Sequence, residues 1–86
     1  MVGLSEKEGL SLGQPAAYEI VVQGVIAQEH QARLGGLRFD VGPGGHGGSA
    51  TTLSGRIQDQ AQLIGVLNAL YEMRLPILSV EVRRLD

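Results

Sequence analysis

A glycine-rich stretch, two histidines, two serines and one aspartate are the residues of this chain whose types and spacing could support chemistry. Residues 42–47 (Gly-Pro-Gly-Gly-His-Gly) fit the letters of the dinucleotide-binding pattern G-x-G-x-x-G. In that pattern the glycines let the backbone approach a pyrophosphate at the N-terminus of a helix. Here a strand is predicted to follow at residues 51–57, so no helix dipole would face a ligand. Residues 42–49 therefore predict a hairpin loop, with an anion-binding nest of backbone N–H groups as the alternative.

The histidines, the serines and Asp59 do not combine into a catalytic or metal-binding set. A catalytic histidine needs a fixed tautomer and a partner within hydrogen-bonding distance, whereas His46 lies among glycines and His30 on a weak helix. Ser54 and Ser79 fall within predicted strands and not on the strand-to-helix elbow that presents a nucleophile. Asp59 is explained as a helix N-cap. We therefore expect no catalytic residue, no cofactor and no metal, and predict that the protein is not an enzyme.

Length and composition argue against several further classes of function. The 86 residues are enough for one domain, and the absence of cysteine excludes disulfides and thiol chemistry. A formal charge of −2, scattered arginines and few aromatic residues argue against a nucleic-acid partner. No apolar run approaches the roughly 20 residues that cross a membrane, and the N-terminus is unlike a secretory signal. We therefore expect a cytoplasmic protein with no membrane partner.

The first 17 residues lack a periodic apolar pattern and contain three glycines and a proline. They predict a mobile N-terminal tail, followed by a single domain over residues 18–86. The alternative is an arm whose Leu4, Leu10 and Leu12 dock on a neighbouring chain. Small domains without disulfides or metals often gain stability from a partner subunit, so self-association is the favoured source of stability here.

The rest of the chain shows the periodicities of four strands and two helices. Alternating apolar residues predict strands over residues 18–26, 37–41, 51–57 and 78–82. Residues 27–34 predict a helix of one or two turns, stopped by Gly35-Gly36. A longer helix begins at the cap Asp59, with Gln62 at the capping-box position, and stops before Pro76. Its predicted buried stripe consists of Leu63, Val66, Leu67 and Leu70, joined at the margins by Ile64 and Met73.

The order of these elements predicts an α+β fold of the ferredoxin-like class. This is a two-layer β-α-β-β-α-β sandwich, here with a short or degenerate first helix. The four-stranded sheet is expected to be antiparallel, with both helices on one face because crossover connections are right-handed. The other face of the sheet is then left bare.

That bare face supplies the candidate interface residues. Val21, Val25 and Ile77 are expected to give it apolar area. Arg56, Glu81 and Arg83 are expected to give it opposing charges that pair across a two-fold axis. A mixed apolar and charged patch with polar edges is typical of an interface. The alternative is an ordinary solvated face with single exposed valines.

Several motifs resemble those of a group of short bacterial open reading frames of unassigned function. The shared pattern is carried by Tyr18-Glu19-Ile20 with Val22-Gln23-Gly24, by Leu34-Gly35-Gly36-Leu37, by Leu53-Ser54-Gly55, by Asp59-Gln60-Ala61 and by Leu75-Pro76-Ile77-Leu78-Ser79-Val80. The resemblance covers residues 18–82 in consistent order. The chain departs from the group at residues 28–34, where aromatic residues are typical, and at residues 42–49, where a short acidic turn is typical. The resemblance implies an uncharacterised protein and supplies no activity, cofactor or site residue.

These observations favour a non-enzymatic protein-interaction or oligomerisation module, which forms a homodimer or binds another protein. The alternative is a regulatory domain that binds a small ligand at a subunit interface. That alternative rests on analogy between folds alone.

Overall fold

The computed structural model describes residues 15–45 and 47–83, which form four strands and one α-helix. The strands are β1 (Ala16–Gln23), β2 (Arg38–Pro43), β3 (Ser49–Ile57) and β4 (Ile77–Arg83), and the helix α1 (Gln60–Glu72) lies between β3 and β4. The predicted α+β class is confirmed. Residues 1–14 of the predicted tail, with Leu4, Leu10 and Leu12, lie outside the described residues, as do His46 and residues 84–86.

The element order is β-β-β-α-β, because no α-helix forms in the described connection between β1 and β2. Two 3-10 turns, Gln28–His30 and Ala32–Leu34, occupy that connection. Leu34 is the one buried residue in these two turns, so the segment lacks the apolar stripe that would hold a longer helix against the sheet. Gly35 then adopts a left-handed conformation at φ 74° and ends the segment, as the glycine pair predicted.

The four strands form one antiparallel sheet in the order β2-β3-β1-β4, which confirms the predicted sheet. β1 and β3 are therefore central strands, and β2 and β4 are the edges. β1 begins two residues before its predicted start and ends at Gln23. Ala16 and Ala17 consequently belong to the sheet, whereas Val25 and Ile26 lie in the loop that follows it.

The core lies between α1 and one face of the sheet. Every second residue of β1 is buried, as the alternation of side chains along a strand requires. These residues are Ala16, Tyr18, Ile20 and Val22, and the buried residues of α1 opposite them are Leu63, Val66, Ala69 and Leu70. Thr51 is also buried, and its hydroxyl donates to the Gly24 carbonyl at 2.7 Å, so its burial leaves no unpaired hydroxyl.

The buried stripe of α1 is shifted from the predicted one, because Ala69 is buried in place of Leu67. Leu63, Val66 and Leu70 are buried as predicted, but Leu67 is only half-buried and Ile64 is 49% exposed. A single helix covers a sheet of four strands in the described part of the chain. The flank of α1 that carries Ile64 therefore reaches beyond the core and into contact with solvent.

A β-bulge in β4 changes which residues share a face of the sheet. The register pairs Val21 with Ser79 and Val22 with Ile77, so Leu78 is an extra residue. Ile77 therefore lies opposite a core-facing residue, and the prediction that it lies on the bare face is wrong. Beyond the bulge, Val80 and Val82 lie opposite Ile20 and Tyr18, as a helix-facing row requires.

The predicted N-cap of α1 is confirmed by its hydrogen bonds. The Gln62 N–H donates to Asp59 Oδ1 at 2.9 Å, and the Gln58 N–H donates to Gln62 Oε1 at 2.8 Å. This is a capping box shifted by one residue, because the usual form returns the glutamine side chain to the N–H of the cap itself. The helix ends at Glu72, and Arg74, at φ 59°, turns the chain before Pro76.

Candidate interaction surface

The face of the sheet that points away from α1, which we call the reverse face, carries four of the six predicted interface residues. These are Val21, Arg56, Glu81 and Arg83. The register shows how they are arranged, because residues directly opposite one another share a face. Ala17 lies between Arg56 and Arg83, and Glu19, the next residue of this face along β1, lies between Ser54 and Glu81.

Across β3, β1 and β4, the charged residues that share a row of the reverse face have the same sign. Glu19 and Glu81 are directly opposite each other, an arrangement that is unfavourable in an isolated sheet. Arg38 and Asp40 form an exposed ion pair at 3.2 Å at the β2 side. Within residues 15–45 and 47–83, neither glutamate has an arginine or lysine nitrogen within salt-bridge distance.

The apolar part of the predicted interface is not on the reverse face. Val25 lies in the loop after β1, because the strand ends at Gln23, and Ile77 is shifted by the bulge in β4. Val21 remains on the reverse face, but it is half-buried and its neighbours Thr52 and Ser79 are polar. The reverse face therefore lacks a contiguous apolar patch of the kind that marks a hydrophobic interface.

The exposed apolar side chains gather along the border of the molecule that β4 forms. Six large apolar side chains are exposed in the described part of the chain: Ile77 and Leu78 on β4, Ile64 and Tyr71 on α1, Val25 in the loop after β1, and Val41 on β2. We call this surface the β4 border and define it by Val25, Ile64, Tyr71, Ile77 and Leu78. Tyr71 is 78% exposed, and Leu78 is 45% exposed.

Two observations fix which flank of α1 faces away from β4. A Cβ atom on Gly35 would lie 3.0 Å from Gln62 Nε2, so the Gln62 flank of α1 packs against the 3-10 segment. The ion pair between Arg33 and Glu72, at 2.6 Å, joins the same flank to the same segment.

The opposite flank of α1 therefore faces β4. With about 3.6 residues per helical turn, Ile64 and Tyr71 lie about half a turn around the axis from Gln62. The helix also connects β3 to β4, which lie on either side of β1. Ile64 and Tyr71 therefore lie on the side of α1 nearer to the β4 edge of the sheet.

β4 is an edge strand, so one side of its backbone carries N–H and C=O groups that pair with no described strand. It is seven residues long and contains no proline, glycine or lysine. Val80 and Val82 face the helix side but are only half-buried. This edge contains a bulge and the charged residues Glu81 and Arg83, which help to protect edges, but its exposed apolar start still offers a template for a further strand.

The opposite edge, β2, is shorter and better protected. It has six residues and ends in Gly42 and Pro43, and proline has no N–H to offer a partner strand. The segment that precedes β2 buries Leu34 and Leu37 completely or nearly so. The 3-10 turns thus cover the β2 side of the core, while the β4 side has no equivalent cover among the described residues.

Gln60, at the start of α1, adds a polar feature to the flank that faces β4. Its Oε1 atom is buried and has no hydrogen-bond partner among the described residues. A buried acceptor without a donor costs about 1–3 kcal/mol. Helical geometry places Gln60 on the same flank as Ile64 and Tyr71.

The residues considered for chemistry are dispersed. Asp59 caps α1, His30 is half-buried in a 3-10 turn, and Ser54 and Ser79 lie on the reverse face as predicted. In the part of the chain that the structure describes, no three His, Asp or Glu side chains lie close enough to hold a metal ion. Burial raises the pKa of the Tyr18 hydroxyl above its ordinary value, because desolvation disfavours the phenolate.

The glycine-rich stretch forms the predicted hairpin loop between β2 and β3. The Gly44 N–H donates to the Gly48 carbonyl at 3.0 Å and closes the loop. The Gln23 side chain holds the base of the loop by donating to the Ser49 carbonyl at 2.9 Å. His46 lies outside the described residues, so its predicted surface position stays a prediction.

Sequence reasoning missed Tyr71 and Leu78 as surface anchors and placed Ile64 at the margin of the core. The sequence did contain a signal for Ile64 and Tyr71. With Leu67 they recur at i, i+3 and i+7 and form a second apolar stripe beside the core stripe. No comparable signal marked Leu78, whose exposure follows from the bulge. None of the helices formed by the described residues is long and apolar enough to cross a membrane.

Comparison with known proteins gives a family but no activity. The model of a family described as a domain of unknown function, DUF8691, matches residues 17–81. The chain therefore belongs to the DUF8691 family, and the predicted resemblance to uncharacterised proteins is confirmed. The chain matches no curated protein sequence and no solved structure.

Proposed function

We propose that this member of the DUF8691 family is a non-enzymatic interaction module that self-associates through the β4 border. The observation that carries the proposal is the coincidence of two features at one border. Exposed apolar side chains of α1 and of the start of β4 lie on the side of the molecule at which β4 is the edge strand. Glu81 and Arg83, on the reverse face of β4, supply polar residues beside this surface, whereas Arg56 lies on β3, on the other side of β1.

The energy available at the β4 border is in the range that gives a concentration-dependent dimer. Complete burial of a large apolar side chain contributes about 1.5–3 kcal/mol, so a half-exposed one still offers about 1 kcal/mol. A two-fold dimer buries each of the five side chains twice, which offers about 10 kcal/mol. Association costs about 4–15 kcal/mol in lost freedom. Backbone hydrogen bonds between the edge strand and a partner then add to the favourable free energy of association.

We further propose that the fold is a ferredoxin-like sandwich whose first helix is reduced to the two 3-10 turns. The strand order β2-β3-β1-β4, with all neighbours antiparallel, supports this assignment. In such a fold the first helix covers the sheet beside β2 and β3 and the second covers β1 and β4. We also propose that the short bacterial open reading frames that share its motifs belong to the same family.

Three matched variants test the proposed surface. Leu78→Glu places a charge in the β4 border, Val41→Glu places the same charge on a side chain 56% exposed at the opposite edge, and Val21→Glu places it on the reverse face. Sedimentation equilibrium over a range of concentrations gives the mass of each. We expect the unaltered protein and Val41→Glu to approach twice the chain mass of 9.1 kDa, and Leu78→Glu to stay at 9.1 kDa.

Circular dichroism of each variant separates loss of association from loss of folding. The proposal fails if the unaltered protein stays monomeric at every concentration. It also fails if Leu78→Glu dimerises as well as Val41→Glu does. Loss of the dimer in Val21→Glu alone would move the interface to the reverse face.

A further inference from the structure

Beyond its bulge, β4 presents apolar side chains on one face and a carboxylate on the other. Val80 and Val82 lie opposite buried residues of β1 and are themselves half-buried, and Glu81, between them, is exposed on the reverse face. The outer side of β4 pairs with no strand that the structure describes. A further strand beside this edge would therefore meet apolar side chains on the helix side and Glu81 on the reverse face.

The carboxylates of the reverse face leave this edge with an unbalanced negative charge. Glu19 of β1 is directly opposite Glu81, and like charges in this arrangement destabilise a sheet. Glu19 is half-buried, so water and salt screen the repulsion less than between two fully exposed groups. Among the described residues, no arginine or lysine nitrogen lies within salt-bridge distance of either carboxylate. A cation added to this row from another molecule would offset the repulsion.

We infer that the β4 edge binds an extended segment of another protein in which one basic residue is flanked on both sides by apolar residues. The inference goes beyond the proposed self-association, because it names a partner other than a second copy. The segment adds to the sheet as a strand, so that backbone hydrogen bonds give affinity and alternate side chains give specificity. The basic residue lies opposite Glu81, and its apolar neighbours lie opposite Val80 and Val82.

The neighbours of Glu81 on the reverse face restrict the segment to a single basic residue. Side chains on one face recur at every second position, so the next residues of the segment on this face lie opposite Ser79 and Arg83. Another basic residue opposite Arg83 would meet a like charge, and Arg56 lies in the same row, across Ala17. The segment is therefore apolar, basic and apolar in turn, with uncharged polar residues outside. This pattern reads the same in both chain directions.

The segment and a second copy would occupy the same border of the molecule. On the flank of α1 nearer to β4, Ile64 and Tyr71 are exposed, and they add apolar area for the side chains opposite Val80 and Val82. We therefore expect the segment to compete with self-association and to dissociate the proposed dimer.

Two short peptides with blocked termini test the charge at the centre of the segment. Their sequences are Thr-Val-Lys-Val-Thr and Thr-Val-Glu-Val-Thr. NMR titration of the isotope-labelled protein gives the dissociation constant of each peptide and the amides that it affects. We expect the lysine peptide to bind about five times more tightly than the glutamate peptide, which corresponds to about 1 kcal/mol. The affected amides are expected in β4 and not in β2.

Three variants locate the preference at Glu81. Glu81→Lys is expected to reverse the preference between the peptides, and Glu81→Gln, which keeps the shape of the side chain, is expected to reduce it. Glu29→Lys changes the net charge by the same amount at an exposed position of the 3-10 segment, and we expect it to retain the preference. Circular dichroism confirms that each variant is folded.

Equal affinity for the two peptides, binding of neither, or an unchanged preference in Glu81→Lys would overturn the inference. So would shift changes centred on β2, or a lysine peptide that binds and leaves the dimer intact. These failures differ from failure of the proposed function, because sedimentation of the protein without peptide reports self-association independently. A monomer that shows the reversed preference in Glu81→Lys contradicts only the proposed function, whereas a dimer without a preference contradicts only the inference.

Discussion

The two edges of the sheet differ in length, protection and cover. β2 has six residues, ends in proline and carries an ion pair between Arg38 and Asp40. β4 has seven residues, lacks proline and begins with two exposed apolar side chains, Ile77 and Leu78. Natural sheets commonly protect their edges with proline, charge and short strands. Both edges carry two charged residues, but only β2 ends in proline, and only β4 begins with adjacent exposed apolar side chains.

The layer above the sheet shows the same difference. On the β2 side, the 3-10 turns bury Leu34 and are tied to α1 by the ion pair between Arg33 and Glu72. On the β4 side, Ile64 and Tyr71 of α1 are exposed, and Val80 and Val82 of the strand are only half-buried. The same helix therefore packs one flank against the 3-10 segment and leaves the other flank exposed, where we propose that a partner binds.

The largest loss of folding stability is expected for a core substitution on the β2 side of the molecule. Leu34→Ala removes a side chain that has no exposed surface, and large-to-small core changes of this kind cost about 2–5 kcal/mol. Ile64→Ala, on the flank facing β4, is expected to cost less than about 1 kcal/mol in the monomer, because roughly half of that side chain is already exposed. Urea unfolding at low protein concentration measures both. Equal losses would show that the two flanks do not differ.

The next largest effect is expected on the dissociation constant of the proposed dimer. Tyr71→Lys places a charge in the β4 border and is expected to weaken dimerisation at least tenfold, which corresponds to about 1.4 kcal/mol. Ala61→Lys, which adds the same charge to an exposed position of α1, is the matched control and is expected to leave the dimer unchanged. Sedimentation velocity gives both dissociation constants. A tenfold change in the control as well would point to net charge and not to the border.

A smaller loss of folding stability is expected at Asp59, the N-cap of α1, which stabilises the helix as a whole. Asp59→Ala removes the acceptor of the 2.9 Å bond from the Gln62 N–H, and the loss of such a cap costs about 1 kcal/mol. Asp59→Asn retains an acceptor and is expected to restore most of the stability. The midpoint of thermal unfolding follows these changes. An alanine variant as stable as the asparagine variant would argue against the capping bond.

The smallest effect is expected at the ion pair of the β2 side. Its side chains are 50% and 65% exposed, and exposed pairs contribute about 0–1 kcal/mol because water and salt screen them. Glu72→Gln is therefore expected to lower the unfolding free energy by less than about 0.5 kcal/mol, with no change in dimerisation. A larger loss that disappears at high salt would assign the ion pair a greater part in holding the 3-10 segment to α1.

The sequence was sufficient for the elements that local chemistry determines. The alternation along β1, the glycine-rich hairpin and the cap at Asp59 each depend on neighbouring residues, and each was found where it was predicted. The bounds of β1 were shifted by two or three residues. The first helix was overestimated, because good helix formers at residues 27–34 have a single buried side chain among them to hold them to the sheet.

The candidate site was predicted less well, because it depends on how far one element covers another. The bulge that shifts Ile77 has no glycine or proline to mark it in β4. The exposure of Ile64 reflects the width of the sheet relative to one helix, which no periodicity within α1 reports. Four of the six residues proposed from the sequence do share the reverse face. The apolar surface nevertheless lies at the neighbouring border.

Hydrogen–deuterium exchange at two protein concentrations tests the central claim most directly, because it observes both edges in one experiment. Amides of β4 whose N–H groups point outward are expected to exchange more slowly at the concentration that favours the dimer. Amides of β2 are expected to exchange at the same rate at both concentrations. Slower exchange in β2, or no dependence on concentration in β4, would contradict association through the β4 border.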